Sequence, residues 1–113
     1  MAKKLLLVDF DGTLAKYEPT QLFTDLGEPL PHARKAMILL SRTFHLVCFT
    51  TRPSELVESW LRRWGFPTMD VTNIKKPGVI IDDRAITFKG QWTDELLNQI
   101  KIFEPHWSHL PTK

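Results

Sequence analysis

Apolar residues fall into two alternating kinds of run along this chain. Short runs dominated by large aliphatic and aromatic residues lie at 5–8, 44–49 and 78–81, each closed by a polar or charged turn. That pattern suits strands buried on both faces, as in a parallel sheet. Between them the spacing changes. Ala33, Ala36, Met37, Leu39 and Leu40 form a helical stripe with Pro31 near its start, and Leu56, Val57, Trp60, Leu61 and Trp64 form a second over 54–64, with Gly65 at its C-terminal end. A further helix is expected over 94–103 and a short strand within 66–71. Lys89-Gly90 suggests a small hairpin across 86–92. Residues 15–30 carry Pro19, Gly27 and Pro29 without periodicity and read as a loop or flap, and Pro105 and Pro111 mark an irregular tail. Strands alternating with helices predict an α/β fold: a mostly parallel, Rossmann-like sheet of about four strands in a three-layer sandwich with helices on both faces.

The 113 residues leave room for one domain, 1–113, with no repeat or linker. Fifteen Lys and Arg against thirteen Asp and Glu give a formal net charge of +2, which does not announce a nucleic-acid binder. No apolar stretch is long enough to span a membrane, and the run before Asp9 is too short for a signal core. The single Cys48 cannot form an internal disulfide, which fits a reducing cytoplasm, and its apolar neighbours Leu46, Val47 and Phe49 predict a buried thiol.

What changes the picture is where the polar residues fall. Each clear strand ends in an unusual polar group: Asp9 and Asp11, then Thr50, then Asp82 and Asp83. The C-terminal edges of a parallel sheet share one rim, where ligands bind, so the fold would gather groups about 70 residues apart. Several carboxylates on one rim repel each other unless protons or a cation compensate. A hard cation held by few carboxylates, water and phosphate oxygens points to Mg²⁺, and no Cys/His cluster suggests zinc. Lys75 or Lys76, ahead of the last strand, would meet an anion at that rim, which suggests phosphoryl transfer.

The segment Leu7-Val8-Asp9-Phe10-Asp11-Gly12-Thr13-Leu14 resembles the first motif of the haloacid dehalogenase superfamily of phosphohydrolases. Phe49-Thr50 resembles the second motif, Lys75 or Lys76 the third, and Ile80-Ile81-Asp82-Asp83 the fourth. The resemblance implies that Asp9 attacks phosphorus to form an aspartyl-phosphate, while Asp11 serves as general acid and then general base. Thr50, with Thr51 beside it, would bind phosphate oxygens, and the lysine would neutralise nucleophile and phosphate. Asp9, Asp82 and the Asp11 backbone carbonyl would hold Mg²⁺, with Asp83 a direct ligand, a ligand through water, or a cap for the next turn. Lys75 follows Asn73-Ile74 as in small relatives, yet Lys76 directly precedes Pro77, so the choice between them stays open. The gaps 14–45 and 52–75 are too short for a cap domain, which resembles the capless class.

The expected function is therefore a Mg²⁺-dependent phosphomonoesterase. The alternatives are a phosphotransferase or phosphomutase on the same fold, or a non-catalytic phosphate-binding module. Nucleotides, polynucleotide ends, sugar phosphates and phosphoproteins all remain open as substrates, as does oligomeric state. Other features read as structural. Trp60 and Trp64, at i and i+4, predict one buried helix face. Arg52 reads equally as substrate contact or exposed first-turn residue, and Arg84 as a partner of the nearby carboxylates. His106 and His109, flanking Trp107 in the tail, lack a third ligand and make a weak metal site.

Overall fold

Leu6, Leu7 and Val8 are almost fully enclosed, which requires protein on both faces and both edges of the strand that carries them. That strand, β1 (Lys4–Asp9), lies inside a four-stranded sheet of order β3-β2-β1-β4, with β2 (Phe44–Phe49), β3 (Asp70–Thr72) and β4 (Val79–Ile81) all parallel to their neighbours. This computed structural model describes residues 3–74, 77–89 and 91–109, with backbone alone at Ile100 and His109. Helices α1 (Ala33–Leu40) and α2 (Ser54–Arg63) make the two crossovers from β1 to β2 and from β2 to β3. Both steps move the same way across the sheet, and right-handed connections therefore place both helices on one face. Helix α3 (Asp94–Ile102) and a single 3₁₀ turn (His106–His109) follow β4. The architecture is α/β, consistent with a Rossmann-like three-layer sandwich.

Side-chain alternation decides what meets the helices. Leu6, Val8, Leu46 and Cys48 point to one side and pack with Ala33 and Met37 of α1 and Val57, Trp60 and Leu61 of α2. Phe10 extends this set beyond β1 and stands edge-on to Trp60, with ring centroids 4.8 Å apart. The Trp60 Nε1–H donates to the Gly27 carbonyl at 2.7 Å, which ties the loop of residues 16–29 to the core. The roots of that loop pair at Lys16 N–H to Glu28 O, 2.7 Å, and Leu30 N–H to Leu14 O, 2.8 Å. Cys48 lies in the core as expected, and burial pushes its thiol pKa up. Thr93 caps α3, its hydroxyl accepting the Leu96 N–H at 3.1 Å.

Three expectations are corrected. No strand pairing occurs across 86–92 among the described residues, where Phe88 and Trp92 instead pack with rings tilted by 45° and centroids 5.0 Å apart. The strand expected at 78–81 to be buried on both faces is an edge strand, with Val79 59% and Ile81 41% exposed, because among the described residues β1 is its one neighbour. Trp64 does not share the burial of Trp60. Helix α2 stops at Arg63, Gly65 takes φ 72°, and Trp64 is left 39% exposed. Among the described residues no helix is long and apolar enough to cross a membrane.

The core sits between the sheet and α2, so truncation there must cost most. Leu61→Ala is expected to lower unfolding free energy by about 2–5 kcal/mol. Leu39→Ala on the exposed side of α1 should change it by about 0.5 kcal/mol or less. Urea titration followed by circular dichroism checks both.

Candidate active site

The strand order reverses between β1 and β4, and the rim above such a switch point is where an open α/β sheet binds ligands. Asp9 closes β1 there, and Asp82 and Asp83 follow directly after β4. Register explains their meeting: Val8 pairs with Ile81, so the next residue on each strand reaches the same level. One carboxylate oxygen from each of Asp9, Asp82 and Asp83 lies within 4.8 Å of the other two. Asp9 is only 7% exposed. Burial first, then a hydrogen bond to Asp83 and the negative charges of Asp82 and Asp83, push its pKa from an ordinary 3.8 to about 8, against the pull of the Phe10 backbone N–H. The three carboxylates therefore do not all stay ionised near neutrality without added positive charge.

The surrounding contacts show how well a cation fits. Asp82 Oδ1 accepts the Arg84 backbone N–H at 2.7 Å, which fixes the turn after β4. Asp83 Oδ2 accepts the Trp107 indole N–H, while among the described residues Asp83 Oδ1 is buried without a hydrogen-bond partner, with Arg84 Nε 4.0 Å away. A buried carboxylate oxygen left this way, facing two more carboxylates, is what a coordinating metal ion would satisfy. Among the described residues, Asp9, Asp82 and Asp83 are the group able to hold one.

Asp11 takes a different course. The chain turns at Gly12, whose φ of 78° suits glycine, and a Cβ there would fall on the Asp83 carboxylate and against the Trp107 ring. Beyond the strand end Asp11 points to Arg52. Arg52 Nε donates to Asp11 Oδ2 and Nη2 to Asp11 Oδ1, both at 2.9 Å. The Asp11 carboxylate is thus outside the three-acid cluster, and any part in a metal site falls to its backbone. Thr13 Oγ1 lies 3.4 Å from Asp9 Oδ2.

Thr50, at the end of β2, is buried, and its hydroxyl oxygen accepts the Arg52 backbone N–H at 3.1 Å, leaving its own proton free. Asn73 Nδ2 donates to the carbonyls of Thr50 and Arg52, which pins the β2 end against β3. These groups line one cleft of about 390 Å³ together with Thr51, Tyr17, Phe23, Arg84 and Trp107. Asp9, Asp11, Thr50, Thr51, Asp82 and Asp83 are therefore all brought to a single cleft. Lys75 and Lys76 lie outside the described residues.

Two parts of the site were not expected from the sequence. Arg52, read equally as a substrate contact or an exposed first-turn residue, is 4% exposed, which overturns the second reading, and its pairing with Asp11 belonged to neither. A Thr-Thr-Arg-Pro string carries no mark of a buried ion pair, and only the acid at Asp11, 41 positions away, hints at one. The tail also folds back over the site. His106 Nε2 lies 2.6 Å from the Gly12 carbonyl, which places a proton on that nitrogen, and Trp107 packs edge-on to Tyr17 at 4.7 Å. His106 Nε2 thus holds backbone, and the side chain of His109, the other half of the expected weak metal pair, lies outside the described part.

No protein-family model matches the chain, and no curated protein does. Among solved structures, a conserved protein from Bacteroides thetaiotaomicron superposes with a TM-score of 0.55 over 88% of this chain and 91% of its own, at 24% identity. That likeness shows a shared fold.

The raised Asp9 pKa carries a stability consequence. Below about 3.8 the Asp9 carboxyl is protonated whether the chain is folded or not; as pH rises to about 8, the unfolded chain ionises first and the folded state loses stability. In metal-free protein the melting temperature of wild type relative to Asp9→Asn is therefore expected to fall across that window and level off above it. A divalent cation at pH 8 should raise the wild-type melting temperature more than that of the variant, as scanning fluorimetry can measure.

Proposed function

We propose that this protein is a Mg²⁺-dependent phosphomonoesterase of the haloacid dehalogenase type, working through an aspartyl-phosphate on Asp9. The observation that carries the reading is the convergence of Asp9, Asp82 and Asp83 within 4.8 Å, with a second acid, Asp11, in the same cleft. In the first half of the reaction an Asp9 oxygen forms a bond to phosphorus as the bond to the ester oxygen breaks. The leaving oxygen takes a proton from Asp11. In the second half Asp11 accepts a proton from a water that attacks the aspartyl-phosphate, which regenerates Asp9 and releases phosphate.

Separate acids are required because one carboxylate cannot be nucleophile and proton donor at once. Asp9, Asp82 and Asp83 would hold the Mg²⁺, and when bound it supplies positive charge to offset both the nucleophile and the phosphate. The free hydroxyl proton of Thr50 is suited to a phosphate oxygen, a neutral donor aimed at charge that grows in the transition state. One of Lys75 and Lys76 is assigned the remaining positive charge. The substrate is a phosphate monoester, either a small molecule or an exposed phosphate on a macromolecule.

Purified protein is expected to release phosphate from p-nitrophenyl phosphate with Mg²⁺ and to stop when EDTA is added. Asp9→Asn should lose about 10³-fold or more in kcat. Undiminished turnover by purified Asp9→Asn would remove Asp9 as nucleophile, and with it this reading.

A further inference from the structure

Arg52 is a fully charged group enclosed by protein, and its hydrogen bonds account for every nitrogen of its side chain. Nε and Nη2 hold the two oxygens of Asp11, and Nη1 points to the carbonyls of Leu22, Phe23 and Asp25 at 2.9, 2.7 and 2.8 Å. The backbone that carries it is fixed as tightly, since its N–H is held by the Thr50 hydroxyl and its C=O by Asn73 Nδ2 at 2.9 Å. Such a guanidinium has four of its five N–H groups committed within the protein, which leaves at most one Nη2 N–H for a substrate phosphate. It instead joins two things that are far apart in sequence: the acid at position 11 and the flap at 22–25.

We propose that Arg52 is a positioning residue that sets the placement of Asp11 for proton transfer and ties that placement to the flap. The proposal rests on the reading of Asp11 as acid and base given above. A two-point Arg–carboxylate fork fixes the plane of the carboxylate as well as its distance. The carboxylate held in the fork carries no proton, so to act as acid Asp11 must free one of its two oxygens and take a proton on it from water before the ester oxygen leaves, while Arg52 keeps the other as the pivot. Asp11 cannot swing away altogether without stranding a buried guanidinium, which is strongly unfavourable. The flap joins in because Nη1 binds three of its carbonyls, while the side chains of Leu22 and Phe23 line the cleft and stay largely exposed. Contacts that a substrate makes with Leu22 and Phe23 are thereby passed to Asp11 through one rigid group.

Lysine keeps the charge at this position but has no planar fork, so it cannot hold both Asp11 oxygens and the flap together. The test compares kcat/KM with Mg²⁺ for p-nitrophenyl, phenyl and simple alkyl phosphates in wild type, Arg52→Lys, Arg52→Gln, Asp11→Asn and the double variant Asp11→Asn with Arg52→Lys. Poor leaving groups need the proton and good ones do not. Arg52→Lys should lose about 10² on the alkyl phosphate and about threefold or less on p-nitrophenyl phosphate, following the steeper trend of Asp11→Asn. Adding Arg52→Lys to Asp11→Asn should cost about threefold or less, because the two act as a unit.

An equal loss across the series in Arg52→Lys would mark a general binding role and overturn the proposal, and so would full additivity in the double variant. A steep Asp11→Asn trend beside a flat Arg52→Lys trend would sink the Arg52 assignment alone. A flat Asp11→Asn trend would remove the acid role and the proposed mechanism with it. Cooperative melting of Arg52→Lys and Arg52→Gln is checked by circular dichroism; if neither melts as a folded protein, Arg52 serves the fold alone and the proposal fails.

Discussion

Three carboxylates held within 4.8 Å of one another are the constraint around which the rest of this molecule is arranged. Left in water they would move apart. Here Asp9 is fixed by a strand paired on both sides, and Asp82 and Asp83 by the turn that ends the neighbouring strand. Folding energy from the core of Leu6, Val8, Leu46, Cys48 and the α2 side chains is thus spent in part on keeping like charges together. Strain of this kind is common at functional sites, because the same arrangement that is unfavourable alone is favourable around a cation or a proton.

Much of the fold was legible because the signals were of the kind that pattern reading detects. Residues 5–8 and 44–49 are apolar enough for interior strands, and the stripe of Leu56, Val57, Trp60 and Leu61 matches α2 closely. The failures came where tertiary placement decides burial. Val79 and Ile81 have the same chemistry as Leu7 and Val8, yet strand order puts them on an open edge, and nothing local records strand order. Trp64 follows the helical spacing of Trp60 and its N–H still bonds the Trp60 carbonyl at 3.0 Å, but it is the C-cap residue where the chain turns off at Gly65, and its ring stays 39% exposed. The turn signal at Lys89-Gly90 suggested a hairpin, but a turn residue makes a hairpin only when two strands flank it, and none does among the described residues.

The acids of the site were legible for a different reason: each follows an apolar strand, and a parallel sheet collects such ends along one rim. Residues that act through long-range contacts were not. Arg52 looks the same in sequence whether it meets solvent or a carboxylate 41 positions away, and its burial follows from the flap closing over it. His106 and Trp107 sit in a stretch flanked by proline that carries no periodicity, so their role appears only when the chain is folded.

The bond from His106 to Gly12 joins residues 94 positions apart, and the bond from Trp107 to Asp83 shares the same short turn. The two bonds and the edge-on packing of Trp107 on Tyr17 hold this turn, and none of these contacts belongs to the sheet or its helices. Fraying at this tail would free one oxygen of Asp83 while the sheet stayed intact. Docking of the tail and the state of the acidic cluster therefore share one carboxylate, so that a change at either is felt at the other.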